Sequence, residues 1–236
     1  MKRRTLFLLA LTMLLCQAGC KEKEEKPKSK RPNLDTLRAA EVGSYIYFGE
    51  YEQDNRLGTG KEAIEWRVLD KREDKMLVIS RYGLDCQPYN IEDTDVTWET
   101  CSLRGWLNNS FYEAAFIPEE KDRILTSEVT EDANPEHETP AGNDTMDRVF
   151  LLSVAEANRY FADDITRWCI GTPYCFEQGA YKNTLYDTCW WWLRSLGNNA
   201  FGAAYVSDHG TIGSFGSYVN NDIHAVRPAM WINLNP

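Results

Sequence analysis

The side chains best suited to chemistry gather near the C-terminus. From Gly197 to Ala225 the chain is built almost wholly of Asn, Ser, Gly, Tyr, Asp, His, Thr and Ala. These types suit non-covalent recognition. Tyr205, Phe215 and Tyr218 offer rigid contact area, and the Asn, Ser and Asp side chains offer adaptable hydrogen bonds. A catalytic reading needs a nucleophile, a base and an orienting acid. His209 beside Asp208 or Asp222 supplies part of such a set, but no Ser-His-Asp order and no glycine elbow accompanies it. His137, between Glu136 and Glu138, is a metal-ligand type that reads better as a solvated loop residue. Cys86, Cys101, Cys169, Cys175 and Cys189 lack the close pairs of a zinc site. In an oxidising compartment some would pair, Cys169 with Cys175 among the options. The alternative is five buried, unpaired thiols. No metal and no cofactor is expected.

Two aromatic brackets must hold the polar segment. One is Trp190 to Ser195, a triple tryptophan followed by Leu-Arg-Ser; the other is Val226 to Trp231. Large aromatics bury the most area per residue and favour strands. The same pattern also fits a glycine-rich hairpin region with no role beyond closing the fold. Arg194 and Arg227 read as buried ion-pair or backbone-bonding residues rather than catalysts.

Upstream, Ser44 to Tyr51 reads as a strand, and Ile64 to Leu69 alternates as a half-buried strand does. Met76 to Ser80 is its expected antiparallel partner. Trp98, Cys101, Leu103, Trp106, Leu107, Phe111, Ala114 and Ala115 fit helical spacing over 97–116, with Asn108-Asn109-Ser110 as a break point. A short helix is expected over 119–124. The acidic stretch 127–147 reads as a long loop, and long loops in compact domains are functional or disordered. Val149 to Leu152 reads as a short strand. Ser153 and Glu156 have capping-box spacing for a helix to about Phe161. Residues 163–179 read as irregular. Strands, then helices, then strands without βαβ repeats predict an α+β fold with mostly antiparallel sheets and two main helices.

The chain has 236 residues, a hydrophobic fraction of 43% and a net charge of −10. That suffices for a packed core and argues against a nucleic-acid partner. Lys2, Arg3 and Arg4 precede an apolar run, Thr5 to Leu15, too short to span a bilayer. Ala18-Gly19-Cys20 follows with small residues. Residues 1–19 therefore read as a secretory signal. The stretch ending at Cys20 resembles a bacterial lipobox, although Gln17 stands where an aliphatic residue is usual. That resemblance implies lipidation of Cys20, a membrane partner through the anchor, and display outside the cytoplasm. Residues 20–41 read as the lipidated cysteine and a solvated tether, since Lys21 to Lys30 holds no apolar residue, with Pro32 to Ala40 a short helix or more linker. Residues 42–236 read as one ligand-binding domain.

Six phrases in order resemble a family of exported bacterial domains of unknown function. They are Trp66 to Asp70, Met76 to Ser80, Ser102 to Asn108, Val149 to Ser153, Trp191 to Ser195 and Val226 to Ala229. The layout is also similar to the C-type lectin fold in the variant shared with the formylglycine-generating enzyme, which implies a C-terminal sheet with a ligand-binding face. The bracketed segment further resembles the cassettes of variable lipoproteins, the treponemal type among them, that diversity-generating retroelements rewrite at adenines. Such rewriting of AAC or AAT codons cannot produce Lys, Glu, Gln, Met or Trp, and none of the five occurs between Gly197 and Ala225. The resemblance implies that the contact side chains are Asn198, Asn199, Phe201, Tyr205, Ser207, Asp208, His209, Thr211, Ser214, Phe215, Ser217, Tyr218, Asn220, Asn221, Asp222 and His224. It leaves Gly197, Val206, Gly210, Ile212, Gly213, Gly216 and Val219 as framing, with Trp191, Trp192, Arg227 and Trp231 holding the frame. The implied partner is an extracellular protein or glycan. Two rivals share the scaffold. The enzyme needs a C-terminal cysteine pair where this chain has only Cys189. The calcium-dependent lectin needs Glu-Pro-Asn or Gln-Pro-Asp and Trp-Asn-Asp triplets that are absent, although a non-standard calcium site stays open.

Overall fold

The computed structural model describes residues 33–235. The signal segment, Cys20 and residues 20–32 of the expected tether lie outside the described residues. The chain is α+β, with mostly antiparallel sheets. A four-stranded sheet is built from β1 (Tyr45–Tyr51), β2 (Glu62–Lys71), β3 (Lys75–Ser80) and β11 (Ala229–Asn233), in that order. A five-stranded sheet has the order β4-β10-β7-β8-β9. Its strands are β4 (Asp85–Cys86), β7 (Trp191–Leu196), β8 (Gly202–Val206), β9 (Ile212–Tyr218) and β10 (Ala225–Val226). A small ladder pairs β5 (Ser127–Val129) with β6 (Thr145–Asp147).

Each strand's pattern follows from what covers it. On β2, Ile64, Trp66 and Val68 are fully buried while Glu65 and Arg67 face outward. β3 lies between β2 and β11, and Met76 to Ser80 is buried throughout, as in a strand covered on both faces. β11 pairs with β3, Ala229 opposite Ile79 and Asn233 opposite Lys75, so the C-terminal end closes the sheet begun by β1. All six residues of β7 are buried at the centre of the second sheet. The buried tryptophans place their indole N–H groups on acceptors: Trp66 on the Phe48 carbonyl, Trp98 on Asp147, Trp192 on the Gln87 carbonyl.

The structure differs from the sequence reading in several places. Within 32–40, read as a short helix or more linker and counted with the tether, residues 34–39 form α1 (Leu34–Ala39); Leu37 is fully buried and Arg38 donates to the Leu234 carbonyl. The helix expected over 97–116 runs over 102–115. It is α2 (Ser102–Trp106), a π-helical turn (Leu107–Phe111) and α3 (Tyr112–Ala115). The expected break at Asn108-Asn109-Ser110 falls within the π-helical turn, which Asn108 anchors. Its amide donates to the carbonyls of Arg104 and Val149, and its oxygen accepts from the Arg148 and Val149 amides. One side chain thus pins the next segment to the helix. The expected short helix is α4 (Pro118–Lys121). Val149 to Leu152 is a buried thread rather than a strand. Phe150 exchanges two backbone bonds with Ala229, while Leu151 and Leu152 give their carbonyls to the Arg194 guanidinium and the Arg194 amide. A thread buried on every side has no solvent face to impose alternation. Helix α5 (Val154–Tyr160) carries the predicted Ser153–Glu156 capping box. Residues 163–179, read as irregular, hold α6 (Asp164–Arg167) and α7 (Pro173–Glu177), capped by Asp163 and Thr172. All five cysteines of the described residues are buried and free, so Cys169 and Cys175 are not paired. No helix among the described residues is long and apolar enough to cross a membrane.

Candidate binding face

The polar segment spans β8, β9 and the turns around them. β9 is the edge strand of the five-stranded sheet. β8 runs antiparallel to both β7 and β9. The 198–201 turn and the end of β9 therefore share one end of the sheet, and the 207–211 turn lies at the other. At roughly 3.3 Å per residue, β9 separates the two ends by on the order of 20 Å. The candidate residues fall into groups rather than one patch.

One group is exposed at the first end and along the edge. It holds Asn198, Asn199, Phe201, Phe215, Tyr218 and Asn220, with Asp222 exposed and Ser217 and Asn221 half-buried beside it. Phe215 is 66% and Tyr218 72% exposed, high values for large aromatics outside any hydrophobic core. At the far end His209 and Thr211 are exposed and Ser207 is half-buried. His209 Nε2 stands 3.7 Å from Asp208 Oδ2.

Three implied contact residues are not available as contacts. Asp208 accepts from Asn183 at 2.7 Å and from the Trp190 indole at 3.0 Å. Burial raises its carboxyl, but those bonds outweigh burial and leave its pKa below the ordinary value. Ser214 is buried and donates to Glu136 at 2.5 Å. His224 is fully buried, stacked 3.9 Å from Trp192 with Tyr205 edge-on at 4.9 Å. Burial pushes its imidazole down to about 3, so it is neutral, and neither ring nitrogen has a partner. Tyr205 is half-buried against Trp190 and His224, and belongs as much to the frame as to the face.

The framing residues hold that face by close packing. A Cβ on Gly197 would sit 2.4 Å from the Phe215 carbonyl oxygen and 2.8 Å from the Gly216 Cα. Gly216 has φ +92° and presses back on Gly197. Only two glycines permit that approach. Val206 and Val219 are fully buried. Trp191 and Trp192 are also fully buried, and Arg227 bonds to the carbonyls of Ser80 and Arg167. Trp231 is half-buried beneath Arg72 and Lys75.

The acidic stretch after β5 contributes more than its sequence suggested. Asn134 donates to the carbonyls of Leu196 and Ser214, and Thr139 to that of Gly197. His137 meets the Phe215 ring edge-on at 5.8 Å. A groove of about 630 Å³ runs between this loop and the first cassette turn, lined in part by His137, Thr139, Leu196, Asn198 and Asn199. His137, read as a plain loop residue, is therefore part of the face. The signal available was the length of the loop.

Arg194 ties the loop to the frame. It donates to the carbonyls of Leu151 and Thr130 and pairs with Glu156. Its Nε stands 3.8 Å from the buried Glu131 carboxylate, which accepts no hydrogen bond. Burial pushes that carboxyl up to about 8 despite the attraction of Arg194. A separate trio, Glu52, Asp54 and Glu62, brings carboxylate oxygens within 4.8 Å of one another after β1. Glu52 and Glu62 accept backbone N–H groups of that loop.

The family described as Domain of unknown function (DUF6273) matches residues 73–234. The chain belongs to this family. The matched stretch runs from the turn before β3 through β11 and takes in the whole candidate face, while β1 and β2 precede it. No curated protein and no solved structure matches the chain.

Proposed function

We propose that the chain is an exported, lipid-anchored binding protein that presents the β9 edge and the 198–201 turn to an extracellular protein or glycan. Residues 1–19 act as the signal, Cys20 carries the lipid, and the scaffold is C-type-lectin-like. The observation that carries the reading is the division of labour within one segment. Gly197, Gly216, Val206 and Val219 are fixed by packing, while Phe215 and Tyr218 stand exposed beside five exposed or half-buried Asn and Ser side chains. A face of that kind tolerates exchange of its side chains without loss of the fold, which is what a retroelement-diversified cassette requires. The buried Asp208, Ser214 and His224 belong to the frame in this reading, and the groove beside His137 extends the contact surface.

The test is capture of surface glycans and extracellular proteins from an array. Phe215→Ala with Tyr218→Ala lowers affinity at least tenfold, since exposed aromatics at an interface centre contribute about 2 kcal/mol or more each. The melting temperature moves by less than about 3 °C, because surface substitutions stay within about 0.5 kcal/mol. Unchanged capture at the parent's stability rejects the face. Cys20→Ala releases the protein from membranes, and a near-copy of the cassette differing at adenines lies beside the gene; continued membrane association or an intact neighbourhood without such a copy removes those two parts of the reading separately.

A further inference from the structure

Away from the cassette, a cleft of about 400 Å³ opens beside α6. Its size falls within the range of small-molecule sites. Arg67 comes from β2, Arg81 and Tyr82 follow β3, Trp168 follows α6, Thr188 precedes β7 and Arg227 lies between β10 and β11. All of these line it, together with Tyr45 and Tyr186. The protein carries a net charge of −10, yet three arginines and no carboxylate face this cleft.

The donors there are short of acceptors. Arg227 is 3% exposed and donates to the backbone carbonyls of Ser80 and Arg167. No carboxylate neutralises it among the described residues. Arg67 likewise forms no ion pair there, and its guanidinium lies over one ring, that of Phe161, at the same 5.3 Å as that of Arg227. Two guanidiniums thus share one ring with no carboxylate between them, although Arg227 also lies over Trp191 at 4.8 Å, and an anion between them would be favoured. Arg81 is different, since Glu65 pairs with it at 2.8 Å. Behind the cleft wall the Trp168 indole N–H and the Thr188 hydroxyl are buried without a partner and have no surface open to the cleft. An indole nitrogen and a guanidinium only donate. The walls are aromatic: Trp168 packs on Tyr186 at 5.4 Å, and Tyr45 and Tyr82 each lie about 5 Å from the Arg81 guanidinium.

We infer that this cleft binds a small organic acid, a carboxylate carried on a six-membered ring. The carboxylate accepts from Arg67 and Arg227, and the ring packs on the tyrosines and Trp168. An aromatic acid and the acidic sugar at the end of a glycan share this chemistry. The cleft adjoins the cassette frame: Arg227 belongs to both, and Trp168 packs against Gly210. Arg167 donates to the Gly210 carbonyl on the cassette side, while Ile165 and Thr166 line the cleft.

Calorimetric titration of the full chain with benzoate, glucuronate, glucose and sulfate tests it. The expected result is saturable binding of benzoate, of glucuronate or of both, with none for glucose. Benzoate alone indicates an aromatic acid, and glucuronate alone a sugar acid. Arg67→Gln weakens binding at least tenfold. Arg67→Lys keeps the charge and loses the planar fork, so it retains part of the binding that Arg67→Gln loses, at an unchanged melting temperature. Absence of binding by both carboxylates overturns the proposal. So does binding that Arg67→Gln does not alter. Sulfate binding as tightly as both carboxylates overturns the assignment to an organic acid.

Discussion

Glu131 roots the loop that walls the candidate groove, and its carboxylate gives a quantitative prediction. Its side chain is 1% exposed, and neither oxygen accepts a hydrogen bond. Burial raises its pKa from 4.5 to about 8 against the opposing pull of Arg194. The folded state therefore holds the proton more tightly than the unfolded state. Stability contributed by the protonated form is fully present below about pH 4.5 and is lost as pH rises towards 8. At roughly 1.4 kcal/mol per tenfold change in proton affinity, the loss approaches roughly 4–5 kcal/mol by pH 9. Glu131→Gln replaces the acid by a neutral side chain of the same shape and removes that dependence. Urea unfolding of both proteins at pH 5 and pH 9 measures it. The two agree within about 1 kcal/mol at pH 5, and the variant is more stable by several kcal/mol at pH 9. A variant less stable than the parent at pH 9 refutes the reasoning, because it means that Glu131 is ionised and contributes through Arg194. An equal difference at both pH values refutes it too.

Two further predictions concern the frame. Gly197→Ala places a methyl 2.4 Å from the Phe215 carbonyl oxygen and costs about 1–3 kcal/mol, read by urea unfolding. Asp208→Ala strips the acceptor from Trp190 and Asn183 and costs about 1–3 kcal/mol at neutral pH. Because the folded pKa of Asp208 is depressed, its contribution is present above the ordinary carboxylate value near 3.8 and disappears as pH falls through that range; an Asp208→Ala difference that grows on acidification contradicts the assignment.

The parts of the fold that read directly from the sequence are those with one wet face. Trp66, Val68 and their outward neighbours Glu65 and Arg67 alternate because β2 has water on one side. The Ser153–Glu156 box was legible because its chemistry is local. The thread at Val149 to Leu152 was not, because its carbonyls go to Arg194, a partner more than forty residues away in sequence. The same holds for the face. Its glycine and valine frame could be separated from its polar filling by residue type. The burial of Asp208, Ser214 and His224 depends on Asn183, Glu136 and Trp192, which no local pattern joins to them. The cleft beside α6 was invisible for a like reason, since Arg67, Trp168, Thr188 and Arg227 converge only in three dimensions.

The central claim is that a packed frame carries an exchangeable surface. It is tested most directly by a library in which Asn198, Asn199, Phe201, Phe215, Tyr218 and Asn220 are varied together and the members are measured for folding. Most members are expected to melt within a few degrees of the parent, and some to capture new protein targets. Widespread loss of folding across the library would contradict it, because those six side chains would then be part of the core.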